Sequence, residues 1–264
     1  MRWARFMYFG EPAYGIVEHD TIEAVEGTPF DGYRRSGVRH FVDNITWLPP
    51  VAPPTFYCVG LNYAEHIAME AKLRGVEPVL PSKPDVGYRA QSALVGHRTP
   101  IVLPPDATDR VEYEGELACV VGRTAKHLTR SDALDCLFGY SIGNDVSERS
   151  WQAEDRTLWR AKNTDTFKPM GPWIETDFDL DAAMTRVRVN GRQVIEFRTG
   201  AMIFGVVDYL VEITRYITLQ PGDVLWMGTE GHADPVRAGD TVDIEITGIG
   251  TLSNPVIAGT GAGG

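Results

Sequence analysis

The sequence predicts an α+β fold dominated by β-strands, and three observations carry that expectation. The first fifty residues break into short apolar runs punctuated by Gly10, Asp20 and Gly27, the pattern of strands joined by turns. Residues 187–194 run up to and away from Asn190-Gly191, the dipeptide that favours a two-residue hairpin. Pro221-Gly222-Asp223 and Ala238-Gly239-Asp240 punctuate the C-terminal half as further turns. With 264 residues, 43% of them hydrophobic, the chain can bury one sizeable core with a small appendage.

Taken in order, residues 3–9, 13–18 and 21–25 read as strands of a small N-terminal β unit, whose expected role is packing. Residues 48–54 (LPPVAPP) form an extended linker, because proline fixes φ and removes backbone donors. This divides the chain into a unit over 1–52 and a main domain over 53–264. Residues 55–59 read as a buried strand ending at Gly60, and residues 63–73 as a helix stopped by Gly75. Residues 74–88 hold Gly75, Pro78, Pro81, Pro84 and Gly87, too much proline for a regular element. A lid and a plain exposed connection are both open readings there. Residues 111–121 (VEYEGELACVV) read as a strand, with Gly115 leaving one face open. Thr129-Arg130-Ser131-Asp132 has the form of a capping box and predicts a helix ending near Gly139, which delivers the strand bearing Asp145. Residues 202–217 read as an apolar helix, and residues 259–264 as a flexible Gly-rich tail.

A net charge of −11 argues against nucleic acid or an anionic membrane as a main partner. The opening residues are too short and broken an apolar run for a signal peptide, and no run approaches 18 apolar residues. Cys58, Cys119 and Cys136 lie scattered, which predicts buried thiols in a reducing compartment. A cytoplasmic protein is the expectation. The chain has no P-loop, no G-x-G-x-x-G after a strand, no G-x-S-x-G and no zinc spacing, so nucleotide and serine-triad chemistry lack support.

Strand side chains alternate faces, so Glu114 and Glu116 point the same way, about 7 Å apart along the chain. With Asp145 they form an all-oxygen set that suits Mg²⁺, Mn²⁺ or Ca²⁺ rather than zinc. Without a cation the cluster is costly, since two unit charges about 4 Å apart repel by roughly 4 kcal/mol at an effective dielectric of about 20. A solvated strand edge is the other reading of the same spacing. His66 is the one strong acid–base candidate, with an ordinary pKa near 6.5, although a lone helical His also fits surface or core. His97 follows a glycine and reads as a loop residue.

V-E-Y-E-G-E-L at 111–117 and G-Y-S-I-G-N-D-V-S-E-R at 139–149 together resemble the core signature of the fumarylacetoacetate hydrolase family. The resemblance continues through G-L-N-Y-A-E-H at 60–66 and K-N-T-D-T-F-K-P-M-G-P at 162–172. It extends to P-G-D-V at 221–224, Gly228-Thr229, A-G-D at 238–240 and G-I-G-T-L at 248–252. These motifs, in register, cover about residues 55–256. The resemblance implies a β-rich mixed β-sandwich roll with peripheral helices, usually dimeric. It implies that Glu114, Glu116 and Asp145 bind a divalent cation, Mg²⁺ or Mn²⁺, and that His66 and Lys162 are catalytic. Asp165 would hold a metal-bound water or orient Lys162. In relatives the positions of Arg149 and Gln152 reach the substrate's carboxylate and oxo groups, and Thr229 and Arg89 match substrate-side positions. Arg149 could instead form a salt bridge with Glu148 or Asp155. Arg89 departs from the family's usual Lys, keeping charge but not shape. Met69 stands where one branch of the family carries the Glu that partners the His. Glu70, one residue on, and Glu230, in the loop after Gly228-Thr229, are the two candidates to replace it. Both stay open.

The chemistry this implies is C–C bond hydrolysis of a 2-oxo acid of the acylpyruvate or fumarylpyruvate type through an enolate. Isomerisation of a 2-hydroxydienoic acid, of the 2-hydroxyhepta-2,4-diene-1,7-dioate type, or decarboxylation of an oxaloacetate-like acid would use the same site. A non-catalytic metal-binding family member is the reading from another class. Retention of His66, Lys162 and three carboxylates together argues against it.

Overall fold

The computed structural model describes residues 1–231 and 233–260, and their side chains except those of Glu70, Leu73 and Arg74. The expected flexible tail falls mostly on 261–264, outside the described residues. Four antiparallel strands open the chain: β1 (Arg2–Tyr8), β2 (Glu11–Glu18), β3 (Thr21–Thr28) and β4 (Gly32–Phe41). The first three match the sequence reading. β4 escapes it because nearly every residue in it is exposed, so it has no buried face to leave an alternating pattern. Ion pairs hold this edge instead: Arg35 and Arg39 of β4 both reach Glu18 and Glu23. β5 (Trp47–Leu48) pairs with β1, and the proline-rich residues 49–55 form no regular element.

The main body begins with β6 (Phe56–Val59), α1 (Ala64–Arg74) and β7 (Val86–Tyr88). Gly75 ends α1 in the left-handed region, φ 67°, with its N–H turned back onto the last carbonyls. Two short strands, β8 (Leu94–Val95) and β9 (Ile101–Leu103), lead to β10 (Val111–Glu112) and β11 (Gly115–Val121). The helix expected over 129–139 is absent. The Asp132 carboxylate accepts from the Thr129 N–H and hydroxyl, closing a turn, and only one 3-10 turn, Ala133–Cys136, follows. Leu137 already belongs to β12 (Leu137–Asn144), where ladder hydrogen bonds to β11 outweigh local helix preference. Then come β13 (Ser147–Glu148), the short helices α2 (Arg149–Glu154) and α3 (Trp159–Asn163), and β14 (Lys168–Glu175). β15 (Met184–Val189) and β16 (Arg192–Arg198) form the Asn190-Gly191 hairpin as expected. α4 (Val206–Tyr216), β17 (Val224–Trp226), β18 (Thr241–Ile246) and β19 (Gly250–Ala258) complete the chain.

Two large sheets result, neither closed into a barrel. One runs β4-β3-β2-β1-β14-β12-β11-β17-β6-β7, so the N-terminal strands extend the main sheet through β1 and β14. The other runs β16-β15-β18-β19-β9. Their facing sides bury Leu117, Ile142, Val187, Ile244 and Leu252, with Tyr209, Leu210 and Ile213 of α4 closing the same core. Gly115 lies where the second sheet packs against β11. A Cβ there would stand 3.0 Å from Ile244 Cγ2 and 3.1 Å from Val187 Cγ2, so the face expected to be open is closed by the second sheet. All three cysteines are buried and unpaired, and among the described residues no helix is long and apolar enough to cross a membrane.

Candidate functional site

Antiparallel pairing of β11 with β12 sets Gly115 opposite Asn144 and Glu116 opposite Gly143. The ends of the two strands therefore carry Glu114 and Asp145 side by side. Asn144 fixes the junction: its Oδ1 accepts from the Glu114 N–H at 3.0 Å, while the Asp145 N–H donates to the Glu114 carbonyl at 2.9 Å. Glu114, Glu116 and Asp145 are all buried, and each offers a carboxylate oxygen within 4.8 Å of the others.

Four cations surround these groups. The Lys162 ammonium, at the end of α3, bridges Glu114 Oε2 at 2.6 Å and Asp145 Oδ2 at 2.8 Å. Lys168 is fully buried at the start of β14 and donates to Asp145 Oδ1 at 2.7 Å and to the carbonyls of Val146 and Phe167, both at 2.9 Å. Arg89 holds Asp145 in a fork, Nη2 to Oδ2 at 2.9 Å and Nε to Oδ1 at 3.2 Å. Arg149 reaches Glu112 at 2.6 Å, Glu114 at 2.7 Å and Gln152 Oε1 at 2.8 Å.

Among the described residues, Glu116 alone of the three lacks an ion-pair partner, and its one hydrogen bond comes from the Gly228 N–H at 2.7 Å. Gly228 presents that N–H from a positive φ of 82°, a conformation that favours glycine. Burial, reinforced by Asp145 and Glu114, pushes the Glu116 carboxyl up to about 8. Burial would also raise Glu114 and Asp145, but Lys162 and Arg149 hold Glu114 down to about 2, and Arg89, Lys162 and Lys168 hold Asp145 well below its usual range. Burial lowers Lys168 to about 8 despite its contact with Asp145.

This donor set fits a hard divalent cation. It is all-carboxylate and buried, it leaves Glu116 without a counter-charge, and two of its oxygens already converge on a single positive centre, the Lys162 ammonium.

His66 lies on α1, and its Nδ1 stands 2.7 Å from the Gly231 carbonyl oxygen. A carbonyl only accepts, so Nδ1 carries the proton and Nε2 is the basic nitrogen of the neutral ring. Glu230 is buried beside it. Burial raises its carboxyl, opposed by the backbone N–H groups of Gly231 and His66. The Glu230 carboxylate accepts from the Gly231 N–H at 3.0 Å and does not occupy Nδ1. Met69 is 41% exposed, and the Glu70 side chain lies outside the described residues. Thr229 is half-buried between Gly228 and Glu230.

His66, Arg149 and Gln152 open on one cavity of about 910 Å³. Arg89 is not on its lining. It braces Asp145, a candidate metal ligand, with both of its contacts to that carboxylate. The salt-bridge partners foreseen for Arg149 are corrected. Glu148 instead caps α2 by accepting from the Trp151 N–H, and Asp155 accepts from the N–H groups of Arg160 and Ala161. Asp165 is exposed, and Lys162 is oriented by Glu114 and Asp145 in its place. Sequence reasoning missed Glu112 and Lys168. Glu112 shares the alternation of Glu114 and Glu116, a signal that was present; Lys168 lies inside the matched stretch 162–172, but its neighbours Phe167 and Pro169 give no hint of its contact with Asp145.

The family model for the fumarylacetoacetate hydrolase C-terminal domain matches residues 55–257, and a model named Rv2993c-like, N-terminal matches residues 1–50. The chain belongs to the fumarylacetoacetate hydrolase family. Protein Rv2993c of Mycobacterium tuberculosis is 42% identical over 251 residues, covering 94% of this chain and 90% of that protein. The mitochondrial oxaloacetate tautomerase Fahd2a of Rattus norvegicus is 35% identical, over 81% of this chain and 70% of that one. Among solved structures, a 2-hydroxyhepta-2,4-diene-1,7-dioate isomerase from Mycobacterium marinum superposes with a TM-score of 0.86 at 36% identity, over 99% of this chain and all of that one. A maleylpyruvate hydrolase from Sphingobium sp. SYK-6, in complex with manganese(II) and pyruvate, gives 0.79 at 25% identity, over 98% and 100%. Family members of this likeness thus include isomerases, tautomerases and hydrolases.

Proposed function

We propose that the protein catalyses proton transfer between the enol and keto forms of a 2-oxo or 2-hydroxydienoic acid. One observation carries this: His66 meets the substrate cavity with Nδ1 committed to a backbone carbonyl, not to a carboxylate. A carboxylate on Nδ1 would raise the basicity of Nε2 toward that needed to deprotonate water. The far more acidic enol hydroxyl, or a carbon beside a polarised carbonyl, asks less of the base. A divalent cation held by Glu114, Glu116 and Asp145 would supply Lewis-acid polarisation of the substrate's 2-oxo and carboxylate oxygens. Arg149 and Lys162 add positive charge for the developing enolate, and Gln152 offers an amide for its orientation. One proton leaves the enol oxygen and one arrives on carbon, so C=C–OH becomes CH–C=O with no bond to water formed and no C–C bond broken. The isomerase and tautomerase names of the relatives support this reading.

C–C hydrolysis, which the sequence ranks first, is the second reading. It is favoured by the buried Glu230 beside His66, a carboxyl able to complete a water-activating pair. A single assay separates the two. Purified protein with Mg²⁺ or Mn²⁺ is given an acylpyruvate and enol-oxaloacetate in D₂O, and enol absorbance and proton NMR are followed together. Metal-dependent enol loss with deuterium entering C3 and no pyruvate released is the expected result. Pyruvate appearing in step with enol loss from the acylpyruvate would make the protein a hydrolase.

A further inference from the structure

Arg149 lines the cavity and also touches the carboxylate cluster. Its guanidinium is shared among three acceptors: Nη2 meets Glu114 Oε1 at 2.7 Å, Nε donates to Glu112 Oε2 at 2.6 Å, and Nη1 donates to Gln152 Oε1 at 2.8 Å. The Lys162 ammonium holds Glu114 Oε2, so cations cover both oxygens of this candidate ligand. A divalent cation must displace at least one of them. If it displaces Arg149, a guanidinium whose side chain is only 15% exposed loses a carboxylate, and a buried charge left without its partner is strongly destabilising. Glu112 is placed to prevent that. It is buried, lies outside the three-carboxylate cluster, and has no part in the chemistry above. β10 pairs with β13, which sets Glu112 opposite Ser147, two residues before Arg149, and the Arg149 N–H donates to the Arg110 carbonyl at 3.0 Å. The backbones carrying Glu112 and Arg149 are thus tied together by hydrogen bonds in which the Glu114 carboxylate takes no part.

We propose that Glu112 is a positioning residue for metal loading: it keeps Arg149 ion-paired while Glu114 exchanges the guanidinium for a divalent cation. Arg149 and Gln152 then hold their places on the cavity wall whether or not the cation is bound. The inference rests on the cation site and is the same for the enol and the hydrolytic readings. Without Glu112, Glu114 is the only carboxylate on Arg149, and a metal that takes it must break that sole ion pair.

The test is a double-substitution cycle read by calorimetric Mn²⁺ binding to chelator-treated protein, with no turnover involved. Glu112→Gln keeps an amide oxygen for the Arg149 Nε–H but removes the counter-charge. It is expected to bind Mn²⁺ about tenfold more weakly than the wild type, the scale of one charge-assisted contact. In an Arg149→Gln background, or Arg149→Met where the first does not fold, there is no guanidinium to strand. The same Glu112→Gln change should then alter Mn²⁺ affinity by no more than about twofold, the scatter of uncoupled sites. Glu112→Asp, charged but one methylene shorter, should recover part of the loss in the wild-type background. An Mn²⁺ affinity unchanged by Glu112→Gln overturns the proposal. So does an equal loss in both backgrounds, which would make Glu112 a charge that attracts the cation directly and not through Arg149. A wild type that binds no Mn²⁺ overturns the proposal together with the cation site.

Discussion

Lys162 and Glu116 occupy opposite electrostatic positions in one cluster, and each makes a separate prediction. The Lys162 ammonium sits on two oxygens that a divalent cation would use, at 2.6 and 2.8 Å, so ammonium and metal compete for them. Repulsion between unit charges about 4 Å apart is roughly 4 kcal/mol at an effective dielectric of about 20. Lys162→Met should therefore bind Mn²⁺ at least tenfold more tightly while losing most turnover. Calorimetry that shows unchanged or weaker Mn²⁺ binding would remove Lys162 from the site. Glu116 has the reverse problem, being buried and crowded by Asp145 and Glu114 with no cation of its own. With its folded pKa raised above the unfolded value, the metal-free protein is penalised as pH rises from about 4.5 toward 8, because only the unfolded chain ionises freely. Glu116→Gln should raise the melting temperature of the chelator-treated protein at pH 7 and abolish the further rise that Mn²⁺ gives the wild type. A fall in the metal-free melting temperature would contradict this account of Glu116.

At the scale of elements, the site depends on how closely the two sheets pack behind β11. Gly115 lies between Glu114 and Glu116, and a Cβ there meets Ile244 and Val187 at 3.0 and 3.1 Å. Gly115→Val must push β11 away from β18 and β15, costing about 1–3 kcal/mol of stability and moving two candidate ligands together. The expected readout is a lower denaturation midpoint with Mn²⁺ binding weakened at least tenfold; a variant neutral in both would show that the sheets yield without disturbing the site. That packing also explains what the sequence could reveal. The alternation in 111–117 and the Asn190-Gly191 turn are local, and both were legible. The face that Gly115 presents is decided by strands more than seventy residues away, so the open side inferred from a missing side chain was closed by β15 and β18. The helix expected over 129–139 failed for a related reason, since β12 takes Leu137 for its ladder. Arg89 and Lys168 became visible as braces of Asp145 only once β12 and β14 lay side by side.

Across the whole molecule, His97 links regions that are far apart in sequence. Its Nδ1 accepts from the Ser253 N–H of β19 at 3.0 Å, and its ring meets Trp47 of β5 edge-on at 5.3 Å. Only an unprotonated Nδ1 can accept that bond. Burial, with the neighbouring Arg98 charge, lowers the His97 pKa to about 4. The unfolded chain takes up this proton near pH 6.5 and the folded chain near 4, so stability falls as pH drops through that window. One pKa unit is worth about 1.4 kcal/mol, so His97 should cost about 2 kcal/mol of stability by pH 5. His97→Gln keeps an amide oxygen able to accept from Ser253 but does not titrate. Its denaturation free energy should fall less than that of the wild type between pH 7 and pH 5, by about that amount. Carboxylates that titrate in the same window contribute equally to both proteins and drop out of the difference. Parallel curves would mean that a protonated His97 is accommodated, and that the bridge from β5 to β19 survives without its hydrogen bond.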